Sequence, residues 1–335
     1  MKTQQPYDAI IIGGGLAGLT CGLALSGEHL SIPLETLIVD AGPALEDRQP
    51  GSDPRGSAIT RSSRTMLQTL GVWDAVADHA QPFEKIIVTD GRAVTGERPA
   101  LLSFLEAGST GTASAWMVEN ACLITALIDR VRQTPNITFI GNTAVESLVF
   151  DSSPAVVATT DGRQFSTPLI VAADGRNSKA RQAAGIDTVR WDYDQCGIAM
   201  TIAHEKPHNG CAEEHFREAG PFAILPLTGN RSSIVWTEQT EAAAKLMKLS
   251  KEEFLEEFRS RFDNHLGKVT LASDYASWPL SVQIAKTFIG RRLALIGDAA
   301  HVIHPIAGLG FNLGLRDIAA LSDCLTDNVR RGLDH

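Results

Sequence analysis

The sequence predicts an α/β fold: a discontinuous, Rossmann-like dinucleotide-binding unit with a mainly antiparallel β-sheet inserted into it. Three observations predict it. A glycine-rich turn follows an isoleucine-rich run at residues 9–18 (AIIIGGGLAG). A second glycine-rich segment stands near the other end, at 293–305 (LALIGDAAHVIHP) and 307–312 (AGLGFN). Between the two, strand-like runs are frequent, so a sheet is inserted between the halves of the nucleotide-binding unit.

The first segment carries its own physics. Residues 7–12 are a short apolar run rich in Ile, the mark of a buried strand. Gly13, Gly15 and Gly18 then fit G-x-G-x-x-G. Gly13 allows the tight turn, Gly15 leaves room for a pyrophosphate beside the backbone, and Gly18 lets the following helix pack on the strand. That helix, about 16–27, aims its free N–H groups at the phosphates. A second strand, 36–39, ends in Asp40, about twenty residues past the motif, where an acid binds ribose hydroxyls. A bare glycine turn or a surface acid would share some of these residues. Strand, glycines, helix and acid together favour the nucleotide, without separating NAD from FAD.

Length and composition set the bounds. A chain of 335 residues suits two domains. Its 44% apolar content is that of a globular protein. A net charge of −9 argues against nucleic acid as a partner and against purely electrostatic docking on anionic lipid. Five cysteines, scattered and without C-x-x-C spacing, fit a reduced, cytoplasmic setting. The uncharged stretch 9–25 is explained by its glycines rather than by a membrane span or signal peptide. Peripheral association with the inner face of a membrane stays open.

Further along, 42–56 is a polar loop and 62–70 a helix ending at Gly71. Residues 86–89 read as a strand and 108–112 (GSTGT) as a flexible stretch. Val118 to Asn120 opens a helix running to about Gln133, with apolar residues at 123, 124, 127, 128 and 131. Runs 137–140, 144–150 and 156–159 read as strands, and Asp161-Gly162 as a hairpin turn. Residues 169–173 are another buried strand, ending in Asp174-Gly175. Then 197–202, 222–227 and 233–237 suggest an antiparallel sheet. Residues 240–262 read mostly as helix, 293–296 as a last buried strand and 314–329 as a helix.

Asp298 follows that last strand, where a carboxylate can accept bonds from a ribityl chain or cap the next helix. Gly308, Gly310 and Gly314 precede and open a helix whose N–H groups can face a negatively polarised group. A nucleotide gripped by both ends of a chain fits a long cofactor such as FAD. His204, His208 and His215 make a weak metal candidate, because Pro207 breaks any helical face and no cysteine or acid completes the set.

The glycine turn, residues 173–181 (ADGRNSKAR) and Gly297-Asp298 with His301 and Pro305 resemble, in order and spacing, the class A flavoprotein monooxygenases of the para-hydroxybenzoate hydroxylase type. Residues 116–120 (WMVEN) and 304–317 (HPIAGLGFNLGLRD) are similar to its ubiquinone-biosynthesis hydroxylase branch. The resemblance covers essentially the whole chain. It implies FAD, with Gly310, Phe311 and Asn312 beside the flavin and Pro305 shaping that loop. It implies Arg55 near the pyrophosphate and Asn120 touching the cofactor, although Asn120 equally suits an N-cap. Asp174, Ser178 and Arg181 match a motif associated with FAD and the nicotinamide cofactor; an Asp-Gly turn with a helix cap is the plainer reading. His301 and His304 lie near the flavin, as acid–base groups or as packing for the loop.

The resemblance further implies the reaction. Reduced flavin and O₂ give a flavin peroxide, which delivers one oxygen to a polyprenylated phenol on the route to ubiquinone. NADH or NADPH is the electron donor, with no second G-x-G-x-x-G to bind it. Residues 1–75, 112–183 and 285–335 would form the FAD domain, and 76–111 with 184–284 the substrate domain. Two departures stand out. Leu309 occupies a place where the family has Gln, and the chain stops at His335, before the family's last helical part. They keep open a non-catalytic subunit of a quinone-biosynthesis complex, beside a related flavin reductase.

Overall fold

The computed structural model describes residues 7–30, 32–48, 53–90, 100–105, 113–262 and 264–333. The expected flexible stretch 108–112 lies outside them. Six strands form the first sheet, in the order Ile289–Gly290, Leu293–Leu295, Leu169–Ala172, Ala9–Ile12, Thr36–Val39, Ile137–Ile140. All neighbours run parallel except Ile289–Gly290, which is antiparallel to Leu293–Leu295. Successive side chains of Ala9–Ile12 enter two different cores. Ala9 and Ile11 pack with the helices Leu16–Ser26, Asn120–Arg132 and Leu309–Arg330. Ile10 and Ile12 pack with the meander of Val145–Val149, Ala155–Thr159 and Gln164–Thr167. Cover on both faces is why these strands read as unbroken apolar runs. The meander turns at Asp161-Gly162, where Gly162 has φ +83° and Thr159 N–H donates to Arg163 O at 3.0 Å.

The second sheet has nine strands. It is antiparallel except where Lys85–Asp90 runs parallel to Cys211–Arg217. Helices Thr240–Leu246 and Lys251–Arg261 cover one face, closing over Phe222, Trp236, Phe254 and Phe258. The other face meets a small sheet of Gly56–Thr60, Ala115–Glu119 and Gln81–Pro82. Ala58, Met117, Ala212 and Leu227 fill that joint, and Arg231 reaches across it to Glu119 at 2.7 Å. The short strand His301–Val302, which directly follows the Gly297-Asp298 turn, pairs with Ala276–Ala285 of the second sheet.

Four elements differ from the sequence reading. The helix expected over 240–262 is two helices, the second opened by a capping box of Ser250 and Glu253. The expected start at Val118 belongs to strand Ala115–Glu119, paired with Gly56–Thr60, and the helix begins at Asn120. The strand expected at 197–202 runs from Thr188 to His204, because Ala276–Ala285 pairs along its polar first half as well. The last helix starts at Leu309 rather than Gly314.

Candidate active site

The C-terminal ends of the parallel strands open on a cleft of about 400 Å³, lined by Gly13, Gly15, Asp40, Thr143, Asp174 and Lys179 among others. The glycines divide the work here. A Cβ on Gly18 would stand 1.8 Å from Gly13 O, and one on Gly13, at φ +105°, 2.4 Å from Ala173 O. These two therefore let strand, helix and Asp174 turn approach one another. Gly15 has nothing within 4 Å of a Cβ. It is the N-cap of helix Leu16–Ser26 and makes no side-chain cap bond, so that helix start faces the cleft with free N–H groups.

Asp40 braces the glycine turn. Its Oδ2 accepts Gly14 N–H at 2.5 Å, and its Oδ1 accepts Gly42 N–H at 2.8 Å and Arg48 Nη2 at 2.7 Å. One lone pair, on Oδ2, is left for a ribose. Arg48 also donates to Gly14 O and lies over the Phe139 ring at 5.0 Å. Sequence reasoning missed Arg48, since nothing marks one arginine within a polar loop. Asp174 is different: Oδ2 accepts Ala180 N–H at 3.1 Å, but Oδ1 is buried with no partner. Ser178 caps helix Lys179–Ala183. Arg181 is buried, donating to Ala299 O at 2.7 Å and Arg176 O at 2.9 Å, so it ties the Asp174 turn to the Asp298 turn.

Asp298 sits on that second turn, after strand Leu293–Leu295. It reaches solvent, yet the protein packed around it desolvates the carboxyl and raises its pKa, against the pull of Arg176, His301 and Arg55. Arg55 is held bidentately by Asp53 and lies 4.9 Å over Trp278. Asn120 is the first helical residue rather than an N-cap; its Oδ1 accepts Ser57 Oγ–H at 2.7 Å, and its N–H donates to Arg55 O. Arg55, Asn120 and Asp298 therefore gather in one region, joined by Arg176, which stands inside the 173–181 motif, and by Trp278, which carries no motif signal.

Asp317 organises the turn from behind. One of its oxygens accepts from Gly297 N–H at 2.9 Å and lies 2.6 Å from His301 Nε2. That hydrogen bond raises the His301 pKa and fixes the ring. His304 packs edge-on against Tyr193 at 5.3 Å, burial lowering its pKa, and Pro305 opens the next turn. Helix Leu309–Arg330 begins at Gly308, in the left-handed region at φ +61° and without a side-chain cap. Gly310 faces open space, Phe311 packs toward the core, and Leu309 is 43% exposed. The Asn312 side chain is fully used: it accepts from Thr60 and Ser63 and donates to Ala58 O and Gly308 O. Only its backbone is available to a ligand. Ala17, Gly297 and Gly314 bring the three motifs together: a Cβ on Gly297 would be 3.2 Å from Ala17 Cβ, and one on Gly314 3.3 Å from Gly297 Cα.

Of the three histidines, His204 and His208 pack edge-on with ring centroids 5.6 Å apart, His215 bonds elsewhere, and among the described residues no group of three ligands forms. His204 bonds Lys206 O and Ser232 Oγ, His208 bonds Leu227 O, and His215 bonds Thr89 and Glu213.

An orphaned buried carboxylate oxygen, an open glycine beside a helix start, and a second uncapped helix start fit a long dinucleotide with a pyrophosphate and a polarised ring. Comparison with known proteins agrees. The family described as FAD binding domain matches residues 6–332. The chain is 39% identical to the ubiquinone hydroxylase UbiL of Rhodospirillum rubrum, over 99% of this chain and 75% of that one. It is 33% identical to the 3-demethoxyubiquinol 3-hydroxylase of Escherichia coli, over 97% of this chain and 81% of that one. Its fold is that of the p-nitrophenol 4-monooxygenase PnpA of Pseudomonas putida, with a TM-score of 0.79, 18% identity, and coverage of 99% and 82%.

Proposed function

We propose a function from the premise that this chain belongs to the FAD binding domain family, here the flavin-dependent monooxygenases. It is an FAD-dependent hydroxylase that acts on the aromatic ring of a polyprenylated phenol in ubiquinone biosynthesis. The observation that carries the reading is the likeness to a ubiquinone hydroxylase along 99% of the chain. The orphaned Asp174 oxygen and the open place at Gly15 support the cofactor half of it.

In this reading residues 1–75, 112–183 and 285–335 serve FAD, and 76–111 with 184–284 serve the substrate. Gly13, Gly15 and Gly18 bring the first helix start to the pyrophosphate, with Arg55 near it, and Asp40 and Asp174 stand by the adenosine half. Asp298, Asn120 and the backbone of Gly310, Phe311 and Asn312 stand by the flavin half. FAD supplies the reduction of O₂ and the transfer of one oxygen atom to the ring. The balance is one NADH or NADPH, one O₂ and one proton consumed, giving one hydroxyl on the ring and one water. The chain's own residues orient the ring, exclude water and hold the turns. His301, locked by Asp317, holds the Gly297-Asp298 turn. Among the described residues no helix is long and apolar enough to cross a membrane. The enzyme meets its lipid-soluble substrate at the membrane surface, a reading supported by exposed Val189, Trp191, Ile284 and Ile289.

Cells lacking the protein are expected to accumulate a prenylated ring short of one hydroxyl. With labelled O₂, the purified enzyme is expected to place label in the phenolic product. Normal quinone levels, or label arriving from water, would overturn the reading.

A further inference from the structure

The face of the second sheet that looks away from its two helices contains a carboxyl that no step above uses. Strand pairing sets its residues in levels. One level runs Ala199, Val235, Ala223, Glu214, Val88, Leu102 across six strands, each residue in register with the next. Alternation along Cys211–Arg217 sends Glu213 to the opposite face, where it meets His215 and His265. The level below Glu214 holds Ala212, which packs with Ala58. Ala58 Cβ in turn lies 3.0 Å from where a Cβ on Gly308 would stand. The level above holds Gly197, paired with Trp278, the ring under Arg55. Glu214 therefore lies between two places where this face meets the nucleotide-binding half.

Glu214 is half-buried, and among the described residues no hydrogen bond or ion pair reaches it. Its cross-strand neighbours are Ala223 and Val88. On the level above, Asp90 pairs with Phe216. Burial alone pushes the Glu214 carboxyl up to about 7. A carboxyl kept in such surroundings costs stability unless something hydrogen-bonds to it. Toward the sheet edge the same face turns apolar and open, with Leu102, Phe104 and Phe216 each two-fifths exposed or more.

We propose that Glu214 is a substrate-binding residue that takes the hydrogen bond of a phenolic O–H, while Leu102, Phe104 and Phe216 carry the apolar chain. The inference rests on the substrate class proposed above. The probes are 2-prenylphenol and its methyl ether, which lacks the O–H, titrated onto the FAD-loaded enzyme with binding read from flavin absorbance. The wild type is expected to bind the phenol at least tenfold more tightly than the ether. Glu214→Leu is expected to erase that preference while keeping FAD and the affinity for the ether. Glu214→Gln, close in shape and a weaker acceptor, is expected to lower the preference at least threefold, and it decides the matter if leucine disturbs the sheet. A preference unchanged in both variants, or none in the wild type, overturns the role of Glu214 and leaves the substrate class standing. A wild type that binds neither compound overturns the substrate class, and this inference with it.

Discussion

Asp298 has Arg55, Arg176 and His301 as positive neighbours but, among the described residues, no hydrogen bond of its own. A carboxylate so placed gains from a ligand hydroxyl about 1.5–3 kcal/mol, or ten- to a hundredfold in affinity. Asp298→Ala is therefore expected to bind FAD that much more weakly with an unchanged circular dichroism spectrum; titration of apoprotein with FAD measures it, and wild-type affinity contradicts it. Glu214 acts on stability instead. Burial raises it from its ordinary 4.5 to about 7, so between those values the folded chain keeps a proton that the unfolded chain has released. Its contribution to stability therefore falls as pH rises through that window. Glu214→Gln carries no such penalty. Relative to wild type its stability is expected to rise by about 3 kcal/mol at most between pH 5 and pH 8. Urea unfolding at the two pH values checks this, and a constant difference contradicts it.

At the scale of elements, two glycines of one motif should part company. Gly18→Ala would drive a methyl to 1.8 Å from Gly13 O, prising the first helix from its strand. Gly15→Ala meets nothing within 4 Å at an ordinary φ of −79°. We expect Gly18→Ala to lose soluble, cooperative folding, and Gly15→Ala to fold normally with weakened FAD binding; melting curves and FAD titration separate the two. Asn312 clips the last helix to strand Gly56–Thr60 and to helix Arg61–Thr69. Asn312→Ala strands buried partners on three segments, at a cost of about 2–4 kcal/mol by denaturant unfolding. The inner parallel strands Ala9–Ile12, Thr36–Val39, Leu169–Ala172 and Leu293–Leu295 were legible because they are buried on both faces. The long strand from Thr188 was not, because its first half (TVRWDYDQ) carries charges on an exposed ladder and pairs only through tertiary context. The break between helices Thr240–Leu246 and Lys251–Arg261 was overlooked, although Ser250 with Glu253 is a capping signature.

At the scale of the whole molecule, FAD is expected to stabilise the fold by linkage: at a hundred times its dissociation constant, about 2.7 kcal/mol. Melting of apoprotein against rising FAD measures that, and a midpoint indifferent to FAD contradicts it. The motif residues of the site were legible because glycines and strand-end acids have local signatures. Arg48, Trp278 and Glu214 were not, since each acquires its place only when distant segments pair. The meeting of Ala17, Gly297 and Gly314 has a consequence for how the protein is made. The first motif is made long before Gly297 and Gly314, and its helix lacks the neighbours they supply until they too have left the ribosome. Nascent chains halted before residue 293 should therefore fail to retain FAD, however long they wait. Cofactor capture must then wait for a segment made long after the first motif, and a cell short of riboflavin would hold a pool of unloaded chains already past that segment.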